Sequence, residues 1–199
     1  KKIQNLNIPI TYFILPQAWA WKEKRVEIMK TVLDQALSII PFEEDWYESR
    51  GLPTHYVGHP FAEQEHLDET SKDFYQRHNL TIEYPILVLL PGSRQQEVDK
   101  HWPVFLKTVE KLRCHIKKLQ IIVGLAPHVS ISPLPNDFKI EINARKAMIS
   151  GTAALVSSGT ATPECAVEDP PMVVCYKLSG ISWIMAQTMT KIEYASMVN

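Results

Sequence analysis

The chain has 199 residues, a formal net charge of −1, and 45% hydrophobic against 22% charged residues. That balance fits a globular protein with a sizeable core, and it gives nucleic-acid binding no bulk electrostatic support. No apolar run reaches the roughly 18 residues needed to span a bilayer, and no signal-peptide pattern is visible. Cys114, Cys165 and Cys175 are odd in number and lack Cys-x-x-Cys spacing. They read as free thiols of a reducing compartment, not as a disulfide framework. The sequence opens on Lys1-Lys2-Ile3 and closes on Met197-Val198-Asn199 directly after a helix-like segment, which reads as a piece of a longer protein.

Strand and helix patterns alternate along the chain. Residues 10–15 are rich in β-formers and stop at Pro16, and residues 22–30 carry a charged helix pattern. Residues 36–40 read as a strand stopped by Pro41. Residues 42–50 read as an acidic amphipathic helix ended by Gly51, and residues 54–57 as a strand ended by Gly58-His59-Pro60. Residues 63–70 turn polar and acidic and are the linker. A second series follows: a helix over 71–79, a strand over 85–90 and a long helix over 97–118, in which Pro103 is tolerated only near the first turns. Residues 119–123 predict a strand, 127–137 a loop with three prolines, 138–142 a strand, 144–150 a short helix and 153–156 a strand. The last elements are a helix over 160–167, a strand over 172–176 and an apolar helix over 181–190. Strands separated by helices imply parallel βαβ units. Two series joined by a linker imply an α/β protein with two Rossmann-like lobes of parallel sheet flanked by helices. The N-terminal lobe, residues 1–62, is partial, and the C-terminal lobe, residues 71–199, is nearly complete.

Two glycine turns carry the functional reading. Pro91-Gly92-Ser93-Arg94 follows the apolar run Ile86–Leu90, and Ser158-Gly159-Thr160 follows Ala153–Val156. Each opens a helix, whose start presents backbone N–H groups and a partial positive charge suited to phosphate. Gly92 lets a ligand approach the backbone. Ser93 caps a helix or donates to a phosphate oxygen, and Arg94 offers a planar fork of donors. Glu97 favours the helix start. Glu164, four residues after Thr160, is placed to accept the hydroxyls of a ribose. Taken singly, each turn has an ordinary structural counterpart: a strand-to-helix connection with a surface Arg, or a Ser/Thr cap with a surface Glu. Together they point to a nucleotide diphosphate at the carboxyl edge of a parallel sheet.

Other constellations carry less. His55 and His59 have a metal-pair spacing, but Gly58 and Pro60 break any shared helical face, so no metal site is expected. No Asp-x-Asp pair is present to hold a divalent ion over a diphosphate, so the expected chemistry uses neither metal nor cofactor. Trp19 and Trp21 stand beside Lys22-Glu23-Lys24-Arg25 and read as core and rim aromatics, or as a contact to a sugar, a phosphate or a membrane surface.

The ordered motifs Pro16-Gln17-Ala18-Trp19-Ala20-Trp21, Ile40-Pro41-Phe42-Glu43, Val57-Gly58-His59-Pro60, Pro91-Gly92-Ser93-Arg94, Ser158-Gly159-Thr160-Ala161-Thr162-Pro163-Glu164 and Tyr194-Ala195-Ser196-Met197-Val198-Asn199 resemble the lipid-A-disaccharide synthases. The resemblance covers nearly the whole chain. It implies a GT-B fold and an inverting transfer from UDP-2,3-diacylglucosamine to 2,3-diacylglucosamine 1-phosphate, giving lipid A disaccharide 1-phosphate and UDP. It further implies a cytoplasmic protein, peripheral to the inner membrane and commonly a homodimer, with no nucleic-acid partner. By motif, Gly92, Ser93, Arg94, Glu97, Ser158, Gly159, Thr160 and Glu164 would bind the donor, with Arg94 and Asn199 in catalytic roles. The family's glycine-rich first loop and its acidic general base have no counterpart here, so this chain by itself is expected not to turn over. A UDP-N-acetylglucosamine 2-epimerase of the same two-lobed architecture, or a non-catalytic nucleotide-binding module, are the alternatives.

Overall fold

The computed structural model describes residues 8–63, 69–159 and 161–177. The described residues fall into two compact units that divide between residues 63 and 69.

The first unit is a three-stranded parallel sheet of order β1-β2-β3, with β1 at Thr11–Phe13, β2 at Gln35–Ser38 and β3 at Thr54–Tyr56. Helices α1 (Ala18–Trp21), α2 (Arg25–Lys30) and α3 (Pro41–Glu48) connect the strands. Leu15, Ala18, Val26, Ala36, Tyr47 and Leu52 form its core. The predicted strand over 10–15 is cut short because Ile14 turns to φ +63°, a conformation that disfavours β-branched residues. The expectation of a helix over 22–30 is corrected in the next segment. Residues 18–21 form α1, and the charged helix starts only at Arg25. What folds α1 is tertiary: Ala18 and Ala20 are buried, and the Pro16 carbonyl accepts the Tyr47 hydroxyl.

The second unit is a five-stranded parallel sheet of order β6-β5-β4-β7-β8. Its strands are β4 (Ile86–Leu90), β5 (Gln120–Gly124), β6 (Lys139–Glu141), β7 (Ala153–Ser157) and β8 (Met172–Cys175). The run Ile86–Leu90 is apolar throughout because both of its faces are covered. Leu87 and Leu89 pack with Val98, Trp102, Phe105 and Val109 of α5 (Gln95–His115). Ile86, Val88 and Leu90 pack on the other side, with Phe74 of α4 (Ser71–Arg77), Met148 of α6 (Ala144–Ser150) and Cys165 of α7 (Ala161–Val167).

The placement of Pro103 is also corrected. It lies inside α5 beyond the first two turns. Both Pro103 and Asp99 are exposed, so the carbonyl that a proline cannot serve faces water and the helix runs through. The prolines of the 127–137 loop do not leave it loose. Gln95, Trp102 and Arg113, spaced so as to share one face of α5, bond Ser130, Pro133 and Asp137 in turn. Residues 181–190, predicted as a helix, lie outside the described residues. Among the described residues no helix is long and apolar enough to cross a membrane.

Candidate functional site

From β4 the chain moves to β5 and β6 on one side of the sheet, then returns to β7 and β8 on the other. The carboxyl ends of β4 and β7 therefore flank the topological switch point, where open parallel sheets leave a ligand crevice. A cleft of about 220 Å³ lies there. The first turn contributes Gly92, Ser93 and Glu97, the second Ser157, Ser158 and Gly159, and α7 contributes Ala161 and Glu164. Ala126, Pro127, Ile142 and Ala144 form a contrasting apolar wall. The structure thus brings together six of the residues singled out by sequence: Gly92, Ser93, Glu97, Ser158, Gly159 and Glu164. Thr160 and Asn199 lie outside the described residues.

The two glycines differ. Gly92 has φ +130°, and a Cβ there would sit 3.2 Å from the Glu97 Cβ and 3.4 Å from the Ser157 Oγ. It is a packing glycine in a strained region that side chains avoid. A Cβ on Gly159, which lines the cleft, would meet nothing within 4 Å among the described residues.

Arg94 does not line the cleft. Its side chain is 80% exposed, and Nη1 donates to Glu97 Oε1 at 2.9 Å. The lining carries two carboxylates, Glu97 and Glu164, and no cation among the described residues. Glu164 is held above the usual carboxylate range, first by burial and then by Glu168 one turn on, against a smaller opposing pull from Arg145. The second turn differs from the simple picture of a helix start with open N–H groups. The Ser158 amide donates to the Cys175 carbonyl at 3.0 Å. The seven-residue α7 carries less aligned dipole than the 21-residue α5.

Two groups at this site were not singled out from sequence. His101 is 1% exposed on α5, and its Nδ1 lies 2.9 Å from the Pro91 carbonyl. Its signal was a polar residue within the apolar stripe 98, 102, 105, 109. The other is the loop carrying Pro127. His128 Nε2 donates to the Ser93 carbonyl at 2.7 Å. Gln95 accepts from the Ser130 amide and donates to the Ser130 carbonyl, each at 2.9 Å. These contacts join residues 35 apart, so no local pattern shows them.

In the first unit, Trp19 donates from its indole to Glu43 at 2.9 Å and meets Phe42 edge to face. It is a packed residue. Glu43, 1% exposed, also accepts from Ser38 at 2.7 Å. His59 does not pair with His55. Its Nδ1 accepts from the Phe61 amide at 3.2 Å, and His55 lies 3.8 Å from Glu44. Glu44, Glu48 and His55 bring ligand atoms within 4.8 Å of one another, a density that exposed acidic groups commonly reach without an ion.

The family described as lipid-A-disaccharide synthetase matches residues 1–199. A lipid-A-disaccharide synthase of Myxococcus xanthus is 34% identical over the whole of this chain, which covers 54% of that relative. The one of Solibacter usitatus is also 34% identical with the same coverage, and lipid-A-disaccharide synthase 1 of Legionella pneumophila is 32% identical over 98% of the chain. The chain spans about half the length of the relatives it matches. Among solved structures, the glycotransferase of kitacinnamycin superposes with a TM-score of 0.52 at 13% identity, covering 89% of this chain and 54% of that one. That likeness concerns the fold, an α/β architecture of helix-flanked parallel sheets shared with a GT-B-like glycosyltransferase.

Proposed function

Because the chain belongs to the lipid-A-disaccharide synthetase family, we propose that its second unit is the donor-binding lobe of a UDP-sugar glycosyltransferase and its first unit part of the acceptor lobe, joined by a linker over residues 63–70. The observation that carries this reading is the convergence of both glycine turns and Glu164 on one cleft at the switch point of the second sheet. The uracil lies against the apolar wall at Pro127 and Ile142. The ribose hydroxyls donate to Glu164, and the diphosphate runs along Ser93, Ser158 and the open side of Gly159.

The missing positive charge comes from Arg94, which leaves Glu97 and turns into the cleft. An exposed ion pair is worth only about 0–1 kcal/mol, so the move costs little. In the longer protein the primary hydroxyl of the acylated glucosamine phosphate attacks the donor's anomeric carbon. A base outside this chain takes its proton, the bond from that carbon to the diphosphate oxygen breaks, and UDP leaves with the electron pair. Arg94 holds the charge that grows on the leaving oxygens, so the reading uses no metal and no cofactor. Asn199 lies by the reacting centre. The longer protein works at the cytoplasmic face of the inner membrane, bound peripherally, and pairs as a homodimer. This chain without its remaining half does not turn over.

Calorimetry with UDP tests the donor site: saturable binding supports it, and no heat at millimolar UDP overturns it. The isomerase alternative is not favoured, since the relatives described above are disaccharide synthases. Release of an epimer from UDP-N-acetylglucosamine alone would reinstate it.

A further inference from the structure

We propose that His101 is a positioning residue that sets the distance between the two turns of the diphosphate site. The inference rests on the donor-site reading above. The Lys177 backbone amide approaches His101 Nε2 at 3.0 Å, and the Pro91 carbonyl lies 2.9 Å from Nδ1. A backbone amide can only donate and a carbonyl can only accept. Nε2 therefore accepts, Nδ1 carries the proton, and the ring is the neutral Nδ1–H tautomer. A buried imidazole is tolerated because both nitrogens are satisfied.

The two bonds join parts of the chain that nothing local connects. Pro91 opens the first turn, and Lys177 follows the exit of β8. Two residues earlier, Cys175 accepts the Ser158 amide of the second turn at 3.0 Å. The exit of β8 thus grips the second turn directly and the first turn through His101. The ring is steadied by Phe105, stacked at 6.3 Å, and by Tyr176 at 5.2 Å. The four neighbouring inward residues of α5, Val98, Trp102, Phe105 and Val109, are apolar. An apolar residue at position 101 would fill the core equally well and would lack both tethers. The imidazole's contribution is the link between the turns.

The test separates its two bonds in the full chain. Asn places an amide N–H near the Nδ1 position, Gln places an amide oxygen near the Nε2 position, and Phe keeps the ring volume with neither. UDP affinity by calorimetry is measured beside the thermal midpoint of each variant. We expect His101→Phe to weaken UDP binding about tenfold, the worth of one hydrogen bond. His101→Asn restores only the bond to Pro91 and His101→Gln only the bond from Lys177, so neither rebuilds the link and neither should recover that loss. UDP binding by His101→Phe within about twofold of wild type overturns the proposal. So does recovery of affinity in either Asn or Gln, which would make one bond sufficient without a link, or a loss across the variants that tracks their thermal midpoints, which marks a purely structural role. In the unmutated chain, the Lys177 amide should be protected from hydrogen exchange; fast exchange there overturns the tether whether or not any variant folds. Failure of the wild-type chain to bind UDP overturns the donor-site reading itself and is distinguished from the other outcomes by needing no variant.

Discussion

Gly92 and Ser157 hold the two turns in contact: a Cβ built on Gly92 would lie 3.4 Å from the Ser157 Oγ and 3.2 Å from the Glu97 Cβ. With φ at +130°, an alanine there is strained and crowded together. Gly92→Ala should lower stability by about 1–3 kcal/mol and widen the cleft. Gly159→Ala should leave the urea midpoint unchanged, because its Cβ enters open space, and should still weaken UDP binding if the diphosphate takes the proposed path along Gly159. Equal stability losses in the two variants would remove the distinction.

Arg94 is exposed and Glu97 is its partner. Arg94→Ala should change stability by less than about 0.5 kcal/mol, since both groups can be solvated. UDP affinity should fall, and in the longer enzyme turnover should drop about 10²–10³-fold, the usual loss for one preorganised donor to a developing oxyanion. Glu97→Gln removes a carboxylate from the cleft and releases Arg94, so ligand-free Arg94 should become more mobile by side-chain relaxation and UDP affinity should rise. Near-normal turnover in Arg94→Ala would end the role assigned to it.

A carboxylate network anchors the start of the second unit. Arg77 and Lys146 together hold the Glu69 carboxyl down to about 2. Burial alone would push Glu141 upward, but the Asn143 amide, His78 and Arg77 hold it below its ordinary value. Both carboxyls have folded values below their unfolded ones, so the unfolded chain takes up protons first as the medium is acidified. The stability they contribute is present in full above about pH 5 and is lost as pH falls toward 2. Urea midpoints between pH 7 and 3 should decline on the acid side. Glu69→Gln should lower the neutral-pH midpoint and flatten that decline. A parallel curve for the variant would show that Glu69 is not responsible.

The centre of the second sheet was legible because β4, β5 and β7 are buried on both faces. An unbroken run such as Ile86–Leu90 announces itself, and α6 is bounded by the Asn143 cap, which accepts from Lys146, and by Gly151. Both turns and Glu164 could be read as one site because strand ends in a parallel sheet converge. What was hidden depends on residues distant in sequence. Helix α1 forms under Tyr47, α5 continues through Pro103 because that face meets water, and His101 bonds a residue 76 positions away. Arg94 shows the opposite limit. Its motif marks it as a ligand of the diphosphate, yet without ligand its nearest favourable charge is Glu97, so sequence gives its chemistry and not its resting place.

Glu164 should make UDP binding depend on pH. Burial, reinforced by Glu168, raises its carboxyl above the ordinary value, whereas accepting two ribose hydroxyls requires the ionised form. Ligand binding must therefore expel a proton over the range in which Glu164 titrates, and affinity must rise with pH until the group is fully ionised. The same shift has the reverse sign for the empty protein. A folded value above the unfolded one favours the native state at low pH, and that contribution is lost as pH rises through the folded value. Glu164→Gln should thus leave the ligand-free chain at least as stable at pH 7 while weakening UDP binding there. The diphosphate itself ionises near pH 6, so the informative quantity is the difference between wild type and variant. Calorimetry in two buffers of unlike ionisation enthalpy should give proton release in the wild type that exceeds that of Glu164→Gln. Identical proton counts across the acid range would mean that Glu164 does not meet the ribose.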